Sequence, residues 1–214
     1  MIIQGQVGQP TTSSIQAGTT PPVRQGQLGD LVVSELHGRY YEQAYRNNIF
    51  NLSVATAAAI TAYTGGAGGT PQIALYNPIG SGKNAVILQT SFANVVAASA
   101  AGTVAWGLYF GPTAVITQTT TTTPINMGTL QKTGSVMTGF TNQALTSSTA
   151  LTNVIPIGYY YWATAAGAFN GSPTIIELAG SLVIPPGTMV GLGGSSALTS
   201  ATWIGSLTWE EVPV

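Results

Sequence analysis

The sequence predicts an all-β protein, a sandwich or barrel of short antiparallel strands, and three observations support that prediction. Apolar and polar residues alternate over several short stretches, which is the period of two that a half-buried strand requires. Glycine- and proline-rich turn signals separate these stretches about every 8–12 residues, a spacing typical of sandwiches and barrels. The sequence contains no long stretch with the 3.6-residue period of an amphipathic helix and no internal repeat.

The chain divides into an extended N-terminal arm with a charged hinge, residues 1–48, and a β-sandwich domain, residues 49–214. Residues 1–23 are rich in Gly, Pro, Thr and Gln. Such a composition cannot bury a core and favours extended backbone. We therefore expect an arm that becomes ordered only against another chain, followed by a hinge in which charges alternate with apolar residues and tyrosines.

Seven strands are predicted within the domain, and frequent turns separate them. They span residues 49–54, 72–76, 84–92, 103–110, 174–184, 188–192 and 201–212. Residues 124–168 are less regular and contain an aromatic run, residues 159–162. The threonine-rich tract 117–123 is interpreted as an exposed loop or edge strand. The predicted core residues are Val104, Trp106, Leu108, Ile176, Leu178, Leu182, Ile184, Val190, Leu192, Trp203, Leu207 and Trp209.

The composition indicates a protein that associates with copies of itself or with a larger body. Charged residues make up 5% of the 214 residues and hydrophobic residues 44%, and the formal net charge is −1. A surface with so little charge gives only weak electrostatic repulsion between copies, and this favours association over a free monomer. We therefore expect a symmetric oligomer, with a homotrimer favoured.

Several classes of partner are disfavoured by the same composition. Five scattered cations do not form the basic surface that nucleic acids require. The apolar stretches are too short and too interrupted for a membrane-spanning helix. The first residues lack the basic and apolar regions of a secretory signal, so we expect a protein that is neither secreted nor membrane-bound. With no cysteine, the chain has no disulfide framework and no thiolate metal site.

Most of the charge lies in one short stretch, residues 24–48, which holds six of the eleven charged residues and the single histidine. Arginine and tyrosine are enriched in protein interfaces, and Arg–carboxylate pairs fix geometry. We interpret the stretch as a segment that contacts a neighbouring subunit or a larger assembly; the alternative is a solvated first strand and loop packed on its own subunit. The candidate interface residues are Arg24, Asp30, Glu35, His37, Arg39, Tyr40, Tyr41, Glu42, Tyr45 and Arg46.

Catalytic chemistry is not predicted, because enzymes need converging titratable groups and residues 49–214 contain only two lysines and three glutamates. Glu210 and Glu211 are adjacent on a strand and point to opposite faces. They are interpreted as a solvated strand end; with Glu177 they could instead contribute to an oxygen-ligand cation site. The motif NPIGSGKN, which ends in Lys83 and Asn84, lacks two features of a phosphate-binding loop. It is interpreted as a glycine-rich hairpin with an exposed lysine. No catalytic residue, cofactor or metal is predicted.

Three segments carry a resemblance to a known class of proteins. The segment LVIPPGTMVGLGGSSALTSATWIGSLTWEEVPV, residues 182–214, resembles the last two strands of jelly-roll modules in phage structural proteins. Its final strand alternates Trp203, Gly205, Leu207 and Trp209 with more polar residues. The segments GRYYEQAYRNNIF and LYNPIGSGKNAVI are similar to small virion proteins of tailed bacteriophages.

The resemblance implies a jelly-roll-like antiparallel β-sandwich and a structural role in the virion. The function expected is that of a capsid decoration (cement) protein, made in the host cytoplasm and bound to the major capsid protein on the head surface. The alternative is a head- or tail-fibre protein that binds a receptor or carbohydrate, with the aromatic run 159–162 and the threonine tract as its surface. A minor coat or scaffold protein is a further alternative.

Overall fold

The computed structural model describes residues 5–7, 23–25, 38–54, 56–60, 73–96, 102–110, 116–117, 121–141, 146–147, 152–162, 174–194 and 198–214. The chain separates into two units, Met1–Tyr41 and Glu42–Val214. In the first unit, two short strands, β1 (Gly5–Val7) and β2 (Val23–Gln25), pair in parallel. The division of the chain into an arm of residues 1–48 and a domain of residues 49–214 stays a prediction.

The rest of the described chain is built almost entirely of strands, with one five-residue helix. The elements are α1 (Tyr41–Tyr45), β3 (Ile49–Ser53), β4 (Ala58–Ile60), β5 (Ile73–Tyr76), β6 (Lys83–Val96), β7 (Gly102–Phe110), β8 (Ile116–Thr117), β9 (Ile125–Asn126), β10 (Thr138–Thr141), β11 (Thr146–Ser147), β12 (Thr152–Trp162), β13 (Thr174–Ile184), β14 (Thr188–Gly194) and β15 (Leu198–Pro213). The predicted all-β fold is confirmed.

Two antiparallel sheets form the sandwich. One has the order β13-β6-β15-β3-β9, with β4 also pairing with β15, and the other has the order β10-β5-β14-β7-β12. Eight strands pair in a nested pattern: β3 with β15, β5 with β14, β6 with β13, and β7 with β12. The earliest of these strands therefore lies beside the latest, and successive pairs alternate between the two sheets.

The core lies between the sheets and contains all twelve residues that the sequence predicted for it. Eight are buried in one cluster, and four are partly buried against it. The buried residues are Val104, Trp106, Ile184, Val190, Leu192, Trp203, Leu207 and Trp209, and the partly buried ones are Leu108, Ile176, Leu178 and Leu182. Burying a large side chain of this kind contributes about 1.5–3 kcal/mol, so this cluster supplies a large part of the stability.

The last strand, β15, shows the predicted alternation. Trp203, Gly205, Leu207 and Trp209 are buried, and the residues between them are half-buried on the other face. Trp209 stacks on Phe50 with ring centroids 6.1 Å apart. At Gly205 an added Cβ would lie 3.3 Å from Ile73 Cγ2 of the opposite sheet. A side chain at this position would press against the opposite sheet, so glycine fits here without displacing its neighbours.

Two local predictions were wrong. The motif NPIGSGKN does not form a hairpin, because it joins β5 to β6, which belong to different sheets. Residues 77–82 form a corner between the two sheets. The buried Asn77 side chain stabilises it by donating hydrogen bonds to the carbonyl oxygens of Lys83 and Ile184, each at 2.8 Å. The eleven-residue strand β12 was missed in the less regular segment, although its β-branched and aromatic residues are typical of a strand.

The two sheets differ in how they meet solvent. In the five-stranded sheet, every residue of β5 and of β14 is buried, so both faces of these strands are covered within one copy of the chain. In the six-stranded sheet, the residues of β6 and β15 that point away from the core are mostly half-buried. The surface of the six-stranded sheet that points away from the core, formed by β13, β6, β15 and β3, is called the open face below.

Candidate functional site

The predicted interface residues are only partly described by the structure. Asp30, Glu35 and His37 lie outside the described residues. Arg24 lies in β2, where its backbone is in register with Gln6 of β1. The prediction that these four residues contribute to an interface stays a prediction.

Two further predicted residues lie next to each other in the turn before α1. The Arg39 guanidinium lies 5.6 Å from the centroid of the Tyr40 ring, within the range of a cation–π contact. The Tyr40 hydroxyl is buried, and it has no hydrogen-bond partner among the described residues. Arg39 itself is exposed. The local contact orients both side chains before the helix begins.

Of the remaining four predicted residues, three lie on α1 and Arg46 follows directly after it. Glu42 and Arg46 form an ion pair of 2.7 Å across one helical turn, with side-chain exposures of 61% and 63%. Exposed pairs at this spacing stabilise a helix by about 0.3–0.5 kcal/mol. Tyr41 and Tyr45 are 46% and 73% exposed. The structure therefore pairs Arg46 with a residue of the adjacent helix, while two aromatic rings of the hinge face solvent.

The end of α1 is fixed by a loop that follows β9. Asn47 adopts a φ of 63°, the left-handed conformation that often ends a helix. The buried Asn126 side chain donates to the Asn47 carbonyl oxygen at 2.8 Å and accepts from the backbone N–H groups of Gly128 and Thr129 at 2.9 and 3.1 Å. A Cβ on Gly128 would overlap the Ala44 carbonyl oxygen. The loop therefore packs directly on the helix end.

The residues after Asn126, here called the 127–134 loop, are all exposed. Met127 is 42% and Leu130 75% exposed. Leu130 also has a φ of 57°, a conformation that residues other than glycine, asparagine and aspartate rarely adopt. Its N–H donates to the Asn126 carbonyl oxygen at 2.8 Å, so the strained position belongs to a well-ordered turn.

A buried carboxylate lies at the other end of this loop, and sequence reasoning missed it. Glu211 is 2% exposed. Its carboxylate accepts from Lys83 Nζ at 3.0 Å, from Ser135 Oγ at 2.6 Å and from the Val136 N–H at 3.1 Å. The interpretation of residues 210 and 211 as a solvated strand end was therefore wrong for Glu211, and Lys83 is paired and only 32% exposed. The opposite orientations of Glu210 and Glu211 are confirmed by their burial.

The Glu211 cluster ties together three distant segments: the start of β6, the loop before β10 and the end of β15. A carboxylate held by one ammonium group and two hydrogen-bond donors is fully satisfied. It has no free oxygen directed at a cleft for general acid–base chemistry. We assign the cluster a structural role.

The open face carries transverse rows of short polar side chains. One row places Ser53, Ser206 and Ser91 side by side, with Ile175 at the edge of the sheet, and Ser91 Oγ lies 2.7 Å from Ser206 Oγ. Because these side chains are small, they leave a groove of about 260 Å³. Val54, Ala93 and Ile204 supply its apolar lining.

The next row contains a charged side chain, Glu177. Asn51 donates to Thr208 Oγ1 at 2.9 Å, and Gln89 donates to Glu177 Oε1. Within the described ranges, no three His, Asp or Glu side chains come together in a group that could hold a metal ion. Glu177 is hydrogen-bonded to Gln89, and Glu211 is held in its own cluster, so the alternative of a shared cation site is not supported.

Glu210 also lies on the open face, and burial raises its pKa above the usual glutamate value of 4.5. The folded state thus binds this proton more tightly than the unfolded state. At pH values above the raised pKa the carboxylate is charged, and its burial lowers the stability of the fold. This loss of stability disappears as the pH falls below 4.5. We expect Glu210→Gln to raise the melting temperature slightly at neutral pH and to leave it unchanged at about pH 3.5. Thermal unfolding at both pH values checks this.

No helix within the described part of the chain is long and apolar enough to span a membrane. Comparisons with protein-family models, with curated protein sequences and with solved structures found no match.

Proposed function

We propose that this chain is a capsid decoration (cement) protein of a tailed bacteriophage, which binds the major capsid protein at the head surface as a homotrimer. The nested strand pairing is the observation that carries the proposal. Lettered B to I in chain order, the eight nested strands have the order B-I-D-G in one sheet and C-H-E-F in the other. This order supports a jelly-roll assignment, and jelly rolls recur in viral capsid domains.

The character of the surface also supports the proposal. In the described part of the Glu42–Val214 unit, Arg46 and Lys83 are each paired with a glutamate of the same chain. The open face presents mainly hydroxyls, amides and small apolar groups. A protein that joins coat subunits needs a rigid body with extensive, weakly charged contact surfaces, since burying unpaired charge is costly.

The alternative function, a fibre protein that binds a receptor or carbohydrate, depends on the aromatic run and the threonine tract. The aromatic run, residues 159–162, lies at the end of β12 and pairs with β7. Its side chains are outside what the structure describes. Attachment to the head surface and attachment to a fibre differ in location and copy number, and both can be measured on purified particles.

Removing residues 1–23 is expected to leave the sandwich folded but to weaken its attachment to the head. The reason is that ordering an extended arm costs about 1–2 kcal/mol per fixed residue, so an arm that becomes ordered on the capsid must recover that cost in contacts there. Particles stripped of the protein are mixed with full-length or truncated chains and sedimented. Full-length protein should pellet with the particles, and truncated protein should pellet much less.

Arg46→Ala is a second test variant, chosen because the exposed pair of Arg46 with Glu42 is worth less than about 0.5 kcal/mol to the fold. The variant should therefore unfold like the original chain, and any loss of its attachment reports a contact with another chain. Undiminished binding of the truncated protein would show that the arm is passive. Failure of the full-length protein to bind stripped heads would refute the proposed function.

A further inference from the structure

We propose that the 127–134 loop of one copy docks into the groove on the open face of a second copy, in a head-to-tail contact. This inference rests on the proposed function, because it names the contact that builds the proposed homotrimer. Four features of the Glu42–Val214 unit support it: the shape and order of the loop, the shape of the groove, the distribution of charge, and the interrupted outer edge of the sheet.

The loop is held in a hydrogen-bonded turn before any partner binds. Leu130 stands 75% exposed at its tip with a φ of 57°, so an apolar side chain occupies a turn position that suits glycine or asparagine. The turn is held by the buried Asn126, which bonds to Asn47, Gly128 and Thr129. Unfavourable conformations of this kind cluster at binding sites. A loop that is fixed before binding loses little conformational entropy on docking.

The groove matches an aliphatic side chain in size and character. It has a volume of about 260 Å³ and combines the apolar Val54, Ala93 and Ile204 with three serine hydroxyls. A cavity of about 150 Å³ is sufficient for a benzene molecule. The groove therefore has room for the side chain of Leu130, and its serine hydroxyls can meet the polar backbone of the loop.

The charges favour a contact between loop and groove over a contact of either surface with itself. Among the described side chains of this unit, Lys132 is exposed and has no ion pair, whereas Arg46 and Lys83 are paired. Glu177 is exposed one row away from the groove, with Gln89 as its hydrogen-bond partner. Loop against loop would bring two lysines together, and open face against open face would bring glutamates together. Loop against open face brings opposite charges together.

The two surfaces lie at different places on the sheet. The loop follows β9 and lies beside the start of β3, which pairs with Glu210 of β15. The groove lies around Ser206. These two residues of β15 are about 13 Å apart, given the rise per residue of a β-strand. A contact between two different patches is heterologous and generates a closed ring when the rotation between copies permits. A trimer is the ring that the proposed function requires.

Pairing of copies through the outer edge of the six-stranded sheet is disfavoured. Its edge strand β13 is interrupted between Glu177 and Leu182, where four residues lie opposite Leu88 alone. Ala179 and Gly180 in this bulge have φ values of 49° and 88°. Bulges of this kind protect an edge from strand addition.

The test is a charge exchange on the full-length chain, followed by sedimentation velocity at micromolar concentration and low salt. We expect a trimer for the original protein and a loss of trimer for Lys132→Glu and for Glu177→Lys, each weakening association by at least about tenfold. The double variant should regain the trimer. Ile79→Glu places a new negative charge at an exposed site outside the 127–134 loop and outside the groove lining, and it should leave the trimer unchanged.

A second variant separates association from folding. Leu130→Asn suits the left-handed turn, so its unfolding temperature as a monomer should be equal or higher, while the trimer should be lost. An unchanged trimer in Lys132→Glu or Leu130→Asn, or a double variant that stays dissociated, overturns the inference but leaves the proposed function standing. A monomeric original protein overturns both the inference and the proposed homotrimer. A trimer that responds as expected but fails to bind stripped heads supports the inference and refutes the capsid role.

Discussion

Glu211→Ala is expected to lower the free energy of unfolding by about 2–4 kcal/mol, because it leaves buried hydrogen-bond donors without their acceptor. The variant deprives Lys83, Ser135 and the Val136 N–H of their common acceptor. It also removes the side-chain bonds that join the end of β15 to the loop before β10, whereas the backbone pairing of β15 with β6 remains. Because folded proteins are stable by only about 5–15 kcal/mol, this single change should remove a large share of the stability.

Chemical denaturation monitored by tryptophan fluorescence measures this effect, because Trp209 lies two residues from the substitution. Glu210→Ala is the matched control: the same chemical change at the adjacent position removes a half-buried carboxylate that has no ion pair among the described residues. Both variants must be compared at one protein concentration, since association with another copy adds to apparent stability. Equal effects of the two substitutions would contradict the structural role of Glu211.

Gly139→Ala is expected to cost about 3 kcal/mol or more through steric overlap. Gly139 lies in β10, and its ideal Cβ would lie 2.5 Å from the Thr122 carbonyl oxygen and 2.6 Å from Leu52 Cδ1. Thr122 also bonds to Gly139 through its N–H at 2.8 Å. The added methyl group must therefore displace either backbone or a core leucine.

Gly38→Ala provides the control, because nothing lies within 4 Å of the added methyl group. Its melting temperature should stay close to that of the original protein, with a stability change within about 0.5 kcal/mol. Thermal unfolding of the two variants compares them directly. A Gly139→Ala protein that melts with the control would show that β10 and residue 122 are not packed as described.

The fold class was predictable because the pattern of the sequence and the geometry of strands agree. In β15 the alternation of tryptophan, glycine and leucine with polar residues identifies the buried face without knowledge of the partner strands. Strand β12 was harder to predict, since Pro156 and the register shifts at positions 152–154 and 157–159 disturb its period. Proline and bulges are tolerated there because β12 lies at the edge of its sheet.

The buried carboxylate was not predictable from local sequence. Glu211 depends on Ser135 and Lys83, which are 76 and 128 positions away in the chain. Only the nested topology brings these segments together. Two adjacent glutamates would ordinarily be expected to be exposed to solvent. The exposed position of Leu130 was equally unpredictable, because no local sequence pattern indicates a positive φ at a leucine.

The copy number of this protein in purified virions tests the account most directly. Gel densitometry of purified particles compares its band with that of the major capsid protein. A decoration protein should be present in a number comparable to that of the coat subunits and in multiples of three per lattice position. A protein that is absent from the particle, or present in only a few copies at a vertex or tail, would contradict the proposed function.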